Sequence, residues 1–478
     1  MLAKQTAIYF IANIFSAGFG LLNTVVFTRI FAVEAFGAYL LGLAFSTLLA
    51  TIMSSALKLS IMREQARGDG TDVRETALAT LLVLSPAAPL AYGAARLAHF
   101  EPDVAATSVL LAYAVILFDT SQELLRAEQK AASVMRGTIL RAILVSVLGI
   151  ACASIAATGA MLLASSALAF LLSAVAFWRI AWGAARPRFD RARIVATIAN
   201  GLPLTLSLTL LALAGMADRF LLAGLVGVAA AGEFGASFDL VRQALIIPAI
   251  SIASAFVPMT VRLLATQGRE EARAHLGKCL ELLLAITLPA CVGFALVSPQ
   301  IADLVLGPQF RETARWAMPV LAMAVVFQIL TQQYLHTSFL LSNRNSFYLA
   351  NTGSILLFNL VASTLLIHRF GLAGAVWGRL AAEVFGCAQA CALSRLAFAM
   401  PLPLGRLARV GAATAAMAAA VYCLSAQAAA LPPALALALL VATGVAVYAV
   451  IALIFDLAEM RELVGALARR RAARVPAE

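Results

Sequence analysis

Between Lys4 and Arg29 the chain runs for 24 residues without a charged side chain, and 7–28 of that stretch is predominantly apolar. A helix of about 20 such residues crosses the hydrocarbon core of a bilayer. Thirteen further runs meet the same rule, at approximately 38–57, 76–95, 104–121, 138–157, 160–178, 195–217, 237–257, 279–298, 316–341, 347–367, 372–394, 409–427 and 432–455. Composition agrees: 62% of the 478 residues are hydrophobic, 12% are charged and the mean hydropathy is +0.93. Soluble domains carry about 25% charged and roughly 45–50% apolar residues. The solvent of this chain is therefore lipid. The expected fold class is an all-α polytopic membrane protein with about 14 transmembrane helices.

The first run is too long for the core of a signal peptide, and no small-residue cleavage pattern follows it, so it reads as the first span. The net charge of +11 could invite a nucleic-acid reading, but no soluble basic domain exists to carry one. The six cysteines form no C-x-x-C pair and no Cys/His cluster with metal spacing. Cys387 and Cys391, four apart on one helix, read as small packing residues. His275, His336 and His368 are scattered, and no cofactor or metal is expected.

Basic residues fix an orientation. With the N-terminus inside, 27 Lys and Arg fall on inner segments, Arg126, Lys130, Arg136 and Arg141 among them, and 6 fall on outer ones. Arg242 and Arg379 lie within spans. Cytoplasmic loops carry the excess of Lys and Arg, so both termini are expected in the cytoplasm. No outer segment exceeds about twenty residues, which weighs against a catalytic domain on the outer face.

Two spans end alike. The first ends TRIFAVEAFGAYLLG, with Arg29 and then Phe36, Gly37 and Ala38; the seventh ends DRFLLAGLVGVAAAGEFGASFDL, with Arg219 and then Phe234, Gly235 and Ala236. Six spans separate them, so both run in the same direction. Parallel repeats of this kind pack about an axis along the membrane normal, with a cavity expected between the halves. The basic stretch AWGAARPRFDRAR at 181–193 supplies the boundary. The expected organisation is an N-terminal six-helix lobe at 1–180, a cytoplasmic linker at 181–194, a C-terminal six-helix lobe at 195–394, and an additional helix pair with a basic tail at 395–478.

GEFGASFDLVRQ after a span ending in Asp-Arg resembles the polysaccharide flippases of the multidrug/oligosaccharidyl-lipid/polysaccharide exporter superfamily. EAFGAYLLGLAFSTLL near the start and FGLAGAVWGRLAAE at 370–383 are similar to that family as well. The resemblance runs the whole length and rests on short motifs. It implies transport of lipid-linked oligosaccharides, precursors of polysaccharide or lipopolysaccharide, from the inner to the outer leaflet of a bacterial plasma membrane. It further implies a polyprenyl-phosphate-linked glycan and membrane lipids as partners, with a glycan polymerase or export machinery beside them. Twelve spans are common in the family. The extra pair at 409–455 is shared with some members, lipid II flippases among them, and its role is open.

Charge within apolar runs marks the candidate site, because an Arg or Asp at mid-bilayer costs about 2.5–3.5 kcal/mol on insertion scales. Asp218, Arg219 and Arg29 sit near the outer ends of the seventh and first spans, and Asp239 and Arg242 in the outer half of the eighth. A carrier phosphate suits arginine, whose planar fork donates two parallel hydrogen bonds. The other reading lets Arg29 and Arg219 snorkel to headgroups and pairs Asp239 with Arg242. Arg379 and Glu383, at i and i+4, read as a structural or coupling pair. Gly371, Gly374, Ala375 and Gly378 before them form a small-residue face. Prolines 203, 248, 258, 289 and 319 can bend second-half spans.

Three functions compete. The flippase leads. A cation-coupled drug exporter shares the two-half plan, but an acidic cavity would suit it better than these arginines. For a membrane-embedded glycan polymerase or transferase, the sequence offers no paired carboxylates on an outer loop and no metal-binding cluster.

Overall fold

The computed structural model describes residues 2–67 and 73–457, and every regular element within them is helical. Lipid offers backbone groups no hydrogen-bond partner, so a helix, which satisfies them within itself, is the structure such runs must form. Fourteen long helices result: α1 Leu2–Ile30, α2 Val33–Arg67, α3 Val73–Leu97, α4 Pro102–Ala127, α5 Ala131–Ala153, α6 Gly159–Ala176 and α7 Arg191–Leu225. They continue with α8 Val228–Thr266, α9 Arg269–Val305, α10 Pro308–Leu341, α11 Asn345–Phe370, α12 Leu372–Leu396, α13 Leu404–Ala428 and α14 Pro433–Ile454. Each apolar run of the sequence falls on one of them. The basic tail from Arg461 to Arg474 and the side chain of Lys4 lie outside the described residues.

Among the described residues, 12 helices are long and apolar enough to cross a membrane. The two others occupy expected span positions. In α1 the described apolar part is Phe15–Ile30. α12 has 25 residues but carries Arg379, Glu383 and Arg395, which lower its hydropathy. Several helices outrun the bilayer: the 39 residues of α8 extend about 58 Å at 1.5 Å per residue. Pro203, Pro248, Pro258, Pro289, Pro299 and Pro319 all lie inside helices, Pro299 beyond the five marked in the sequence. α10 widens into a π-turn over Leu330–Leu335.

The chain divides into two compact units. The first takes the chain up to Ala236 together with Leu306–Phe310 and Asn359–Ala375. Inside it α2 is the central helix, packed on α4, α6 and α7. Small residues let these helices approach: an added Cβ at Gly201 would run into the Ala56 backbone, and one at Gly159 would stand 3.0 Å from Tyr39 N. Ser46 Oγ donates to the Ser108 carbonyl at 2.7 Å, tying α2 to α4. The stretch expected as a linker begins in the core of this unit. Ala181 and Trp182 are fully buried with Leu57, Ile61 and Leu125, and Trp182 Nε1 donates to Ser121 Oγ at 2.8 Å. Asp190 then caps α7 by accepting from Ala192 N and Arg193 N at 3.0 and 3.2 Å.

The second unit holds Ser237–Val305, Arg311–Phe358 and the chain from Val376 onward. Here the last two helices find their place: α13 and α14 pack on each other and on α9. Val297, Val421, Ala428, Ala436 and Leu440 form the buried seam, and Tyr448 Oη donates to the Ala285 carbonyl at 2.6 Å. A second tie runs between α10, α11 and α12. Asn351 Nδ2 donates to Gly386 O at 3.1 Å and Gln389 Oε1 at 2.8 Å, while its Oδ1 pairs with His336 Nε2 at 2.8 Å.

Candidate functional site

The motif-bearing ends of the two repeats meet within the first unit. Gly37 of the first FGA motif faces α8 so closely that an added Cβ would collide with the Val228 carbonyl; one on Gly232 would stand 2.9 Å from Gly37 Cα. Only glycine allows two helix backbones to touch in this way. Beside this crossing Thr28 Oγ1 accepts from Gly307 N at 3.1 Å, and Phe36 meets Phe310 edge-on at 5.6 Å. The Gly371 turn, at φ +56, closes α11 onto α12, where a Cβ on Gly374 would strike the Leu366 carbonyl.

Asp218 and Arg219, at the end of α7, are 1% and 6% exposed. Asp218 is held by neutral donors on α11: Asn359 Nδ2 donates to its Oδ1 at 2.9 Å, and Ser363 Oγ reaches the same oxygen at 3.3 Å. Ser363 Oγ also lies 2.8 Å from Asn359 Oδ1, so the three groups form one network. Burying a carboxylate is costly unless several hydrogen bonds receive it, and Asn359 and Ser363, themselves at most 1% exposed, serve that need. Arg219 packs its guanidinium on the backbone of Gly235: a Cβ there would sit 3.6 Å from Nε and 3.7 Å from Cζ.

Arg29, in the first unit, and Arg242, in the second, carry exposed side chains, and Asp239 is half-buried in the second unit. Arg379 and Glu383 are buried together on α12: Nη2 donates to Oε1 at 2.6 Å, and the Phe238 ring lies 4.9 Å from Cζ. The i and i+4 spacing on one helical face produces that pair directly.

Asn359 and Ser363 escaped the sequence reading because they carry no charge. Their spacing of four on one apolar run was the available signal. Arg141, counted there with the inner segments, stands instead inside α5, ten residues from Ala131. Among the described residues no three His, Cys, Asp or Glu side chains gather as a metal site.

Residues 2–264, more than half of the chain, match the model of a family described as "Polysaccharide biosynthesis protein". No curated protein sequence matches the chain. Among solved structures the chain is similar to a "Lipid II flippase MurJ, inward closed conformation", with a TM-score of 0.79 and 13% identity over 96% of this chain and 100% of that one. It is also similar to an inward-facing multidrug resistance MATE family transporter of the MOP superfamily, with a TM-score of 0.66 and 16% identity over 80% of this chain and 94% of that one. At such identities the likeness is one of fold: an all-α transporter fold.

Proposed function

Because the chain belongs to the polysaccharide biosynthesis protein family, we propose that it flips lipid-linked oligosaccharides, precursors of polysaccharide or lipopolysaccharide, from the inner to the outer leaflet of a bacterial plasma membrane by alternating access. The carrying observation is the family match over residues 2–264. The drug-exporter fold is also similar to this chain, so fold alone does not separate the two. The family match supports the flippase reading, and the arginines of the candidate site point the same way, since a lipid-linked glycan presents a phosphate. In this reading both termini are cytoplasmic, the halves 1–180 and 195–394 act as two lobes, and the substrate is a polyprenyl-phosphate-linked glycan supplied and received by glycan-assembly machinery.

Among the proposed substrate residues the burial pattern divides the roles. Arg29 and Arg242, whose side chains are exposed, are assigned phosphate contacts. Asp239 lies one turn from Arg242 and orients it. Arg219 with Asp218, both buried in this conformation, is assigned a positioning role at the end of α7. The test is glycan export by cells carrying each variant, normalised to the protein present in the membrane. Arg242→Ala and Arg29→Ala should each reduce export at normal membrane level. Arg242→Lys should fall between Ala and wild type, because an ammonium keeps the charge and loses the fork. Arg219→Ala should instead lower the amount of protein. Full export by a well-expressed Arg29→Ala, Arg242→Ala double variant would sink the assignment.

A further inference from the structure

We infer that Arg141 forms an anion-binding site inside the first unit that takes the phosphate of an amphiphile; this rests on the flippase reading above and adds a residue to it. A guanidinium has five N–H donors. Arg141 spends one, from Nη2 to Ser16 Oγ at 3.0 Å, and its Nε is buried with no partner. The rings of Phe170 and Phe118 lie 4.9 and 5.6 Å from its Cζ, which favours the cation but accepts no conventional hydrogen bond from the edge of the fork. Asp119 is the carboxylate within electrostatic reach. It accepts a hydrogen bond not from Arg141 but from Lys58 Nζ, at 2.7 Å. Two cations thus share one carboxylate, and among the described residues the fork of Arg141 stays short of acceptors.

The placement of these groups makes the shortage meaningful. Arg141 lies ten residues from the start of α5, Lys58 nine from the end of α2 and Asp119 eight from the end of α4. At 1.5 Å per residue those steps correspond to about 15, 14 and 12 Å. The three helix ends point to the same side of the membrane under the alternating topology. The charges therefore form one layer toward the inner ends of these three helices. Charged residues within transmembrane helices usually face a cavity or a partner, and among the described residues Ser16 Oγ is the acceptor bonded to this fork. A phosphate or pyrophosphate supplies the missing oxygens in the bidentate geometry a guanidinium prefers. It also brings the negative charge that the Lys58, Asp119 and Arg141 group lacks. Lys58, 30% exposed in its side chain, gives the same ligand a second cation within the layer.

Two sources offer this chemistry: the polyprenyl carrier of the substrate and the headgroup of a membrane phospholipid. The full chain, reconstituted in nanodiscs of a zwitterionic lipid, is titrated with a polyprenyl pyrophosphate and, separately, with phosphatidylglycerol. Binding is followed by native mass spectrometry and thermal melting in parallel. Arg141→Gln should weaken binding at least tenfold, and Arg141→Lys should weaken it by less. Arg315→Gln, which breaks the exposed pair with Asp303 at 2.6 Å, should leave it unchanged. Loss confined to the polyprenyl probe assigns the site to the substrate; equal loss of both probes assigns it to lipid phosphate in general. Wild-type affinity for both probes in the Gln variant overturns the site. So does a lowered melting midpoint with intact binding, which would make Arg141 structural. Should the Gln variant not fold, the Lys variant decides on the same criteria. The flippase reading is judged separately: it fails if cells lacking this chain export glycan normally, whatever Arg141 binds.

Discussion

Replacing Glu383 with Leu should destabilise the second unit strongly, and replacing its partner as well should reverse most of the loss. The two side chains are 4% and 5% exposed and joined by a 2.6 Å hydrogen bond. Removing one partner of a buried ion pair leaves an uncompensated charge and costs about 3–5 kcal/mol, whereas exchanging both for apolar groups is commonly neutral or stabilising by about 1–4 kcal/mol. At roughly 2–4 °C per kcal/mol for a body of this size, Glu383→Leu should lower the melting midpoint by about 6–20 °C. Arg379→Met with Glu383→Leu should return close to wild type, the Met stem filling the space against Phe238. The assay is tryptophan-fluorescence melting of the purified full chain, with glycan export measured in cells. Single variants that melt like wild type would refute the buried-charge reasoning. A double variant that melts normally but exports nothing would move the pair from structure to coupling.

Two further outcomes are expected. Topology reporters fused at Gly183 and Gly268 should read inside and one at Glu101 outside, and an outside signal at Gly183 would break the two-lobe scheme. Gly37→Ala should destabilise the protein by about 1–3 kcal/mol, the usual range for overpacking, because its Cβ meets the Val228 carbonyl, a backbone atom that cannot rotate away. Gly93→Ala, with no atom within 4 Å of the added carbon, should melt as wild type. Equal melting of the two variants would remove the close crossing from the account.

The helices were legible because lipid leaves an apolar run one way to satisfy its backbone, so all 14 positions carry one. Charge lowered the hydropathy of α12 without unmaking the helix: Arg379 and Glu383 neutralise each other within it. What the sequence could not supply was partnership across helices. Asp218 stood out as a charge, yet nothing local names Asn359 and Ser363, some 141 and 145 residues away, as its donors. Arg141 counts with an inner segment because a run of basic residues leads into α5, and the helix start at Ala131 places it ten residues into that helix. Trp182 is the opposite case. It sits in a stretch whose basic, proline-containing composition reads as linker, but its indole is large enough to anchor that stretch in the core by burial and one hydrogen bond.

The two repeat ends show how equivalent positions can be put to different uses. Thr28 and Asp218 each precede the arginine of their motif, and each is buried, at 3% and 1% exposure. The threonine is neutral, so one backbone N–H from Gly307 and one carbonyl of its own helix satisfy its hydroxyl. The carboxylate needs more, and α11 supplies an amide and a hydroxyl for it. A shorter hydroxyl at that position would draw back from the Asn359 amide that now donates to the carboxylate, while a carboxylate at Thr28 would meet a single N–H and stay underbonded. The surroundings of the neighbouring arginines follow suit. Arg219 is covered and packed on Gly235; Arg29 is exposed. If both arginines merely snorkelled, the sequence would have no reason to build a buried carboxylate and its donors beside one and a simple backbone junction beside the other. The asymmetry therefore favours separate roles: losing Arg219 should be read in the amount of folded protein, and losing Arg29 in transport by protein that is fully present.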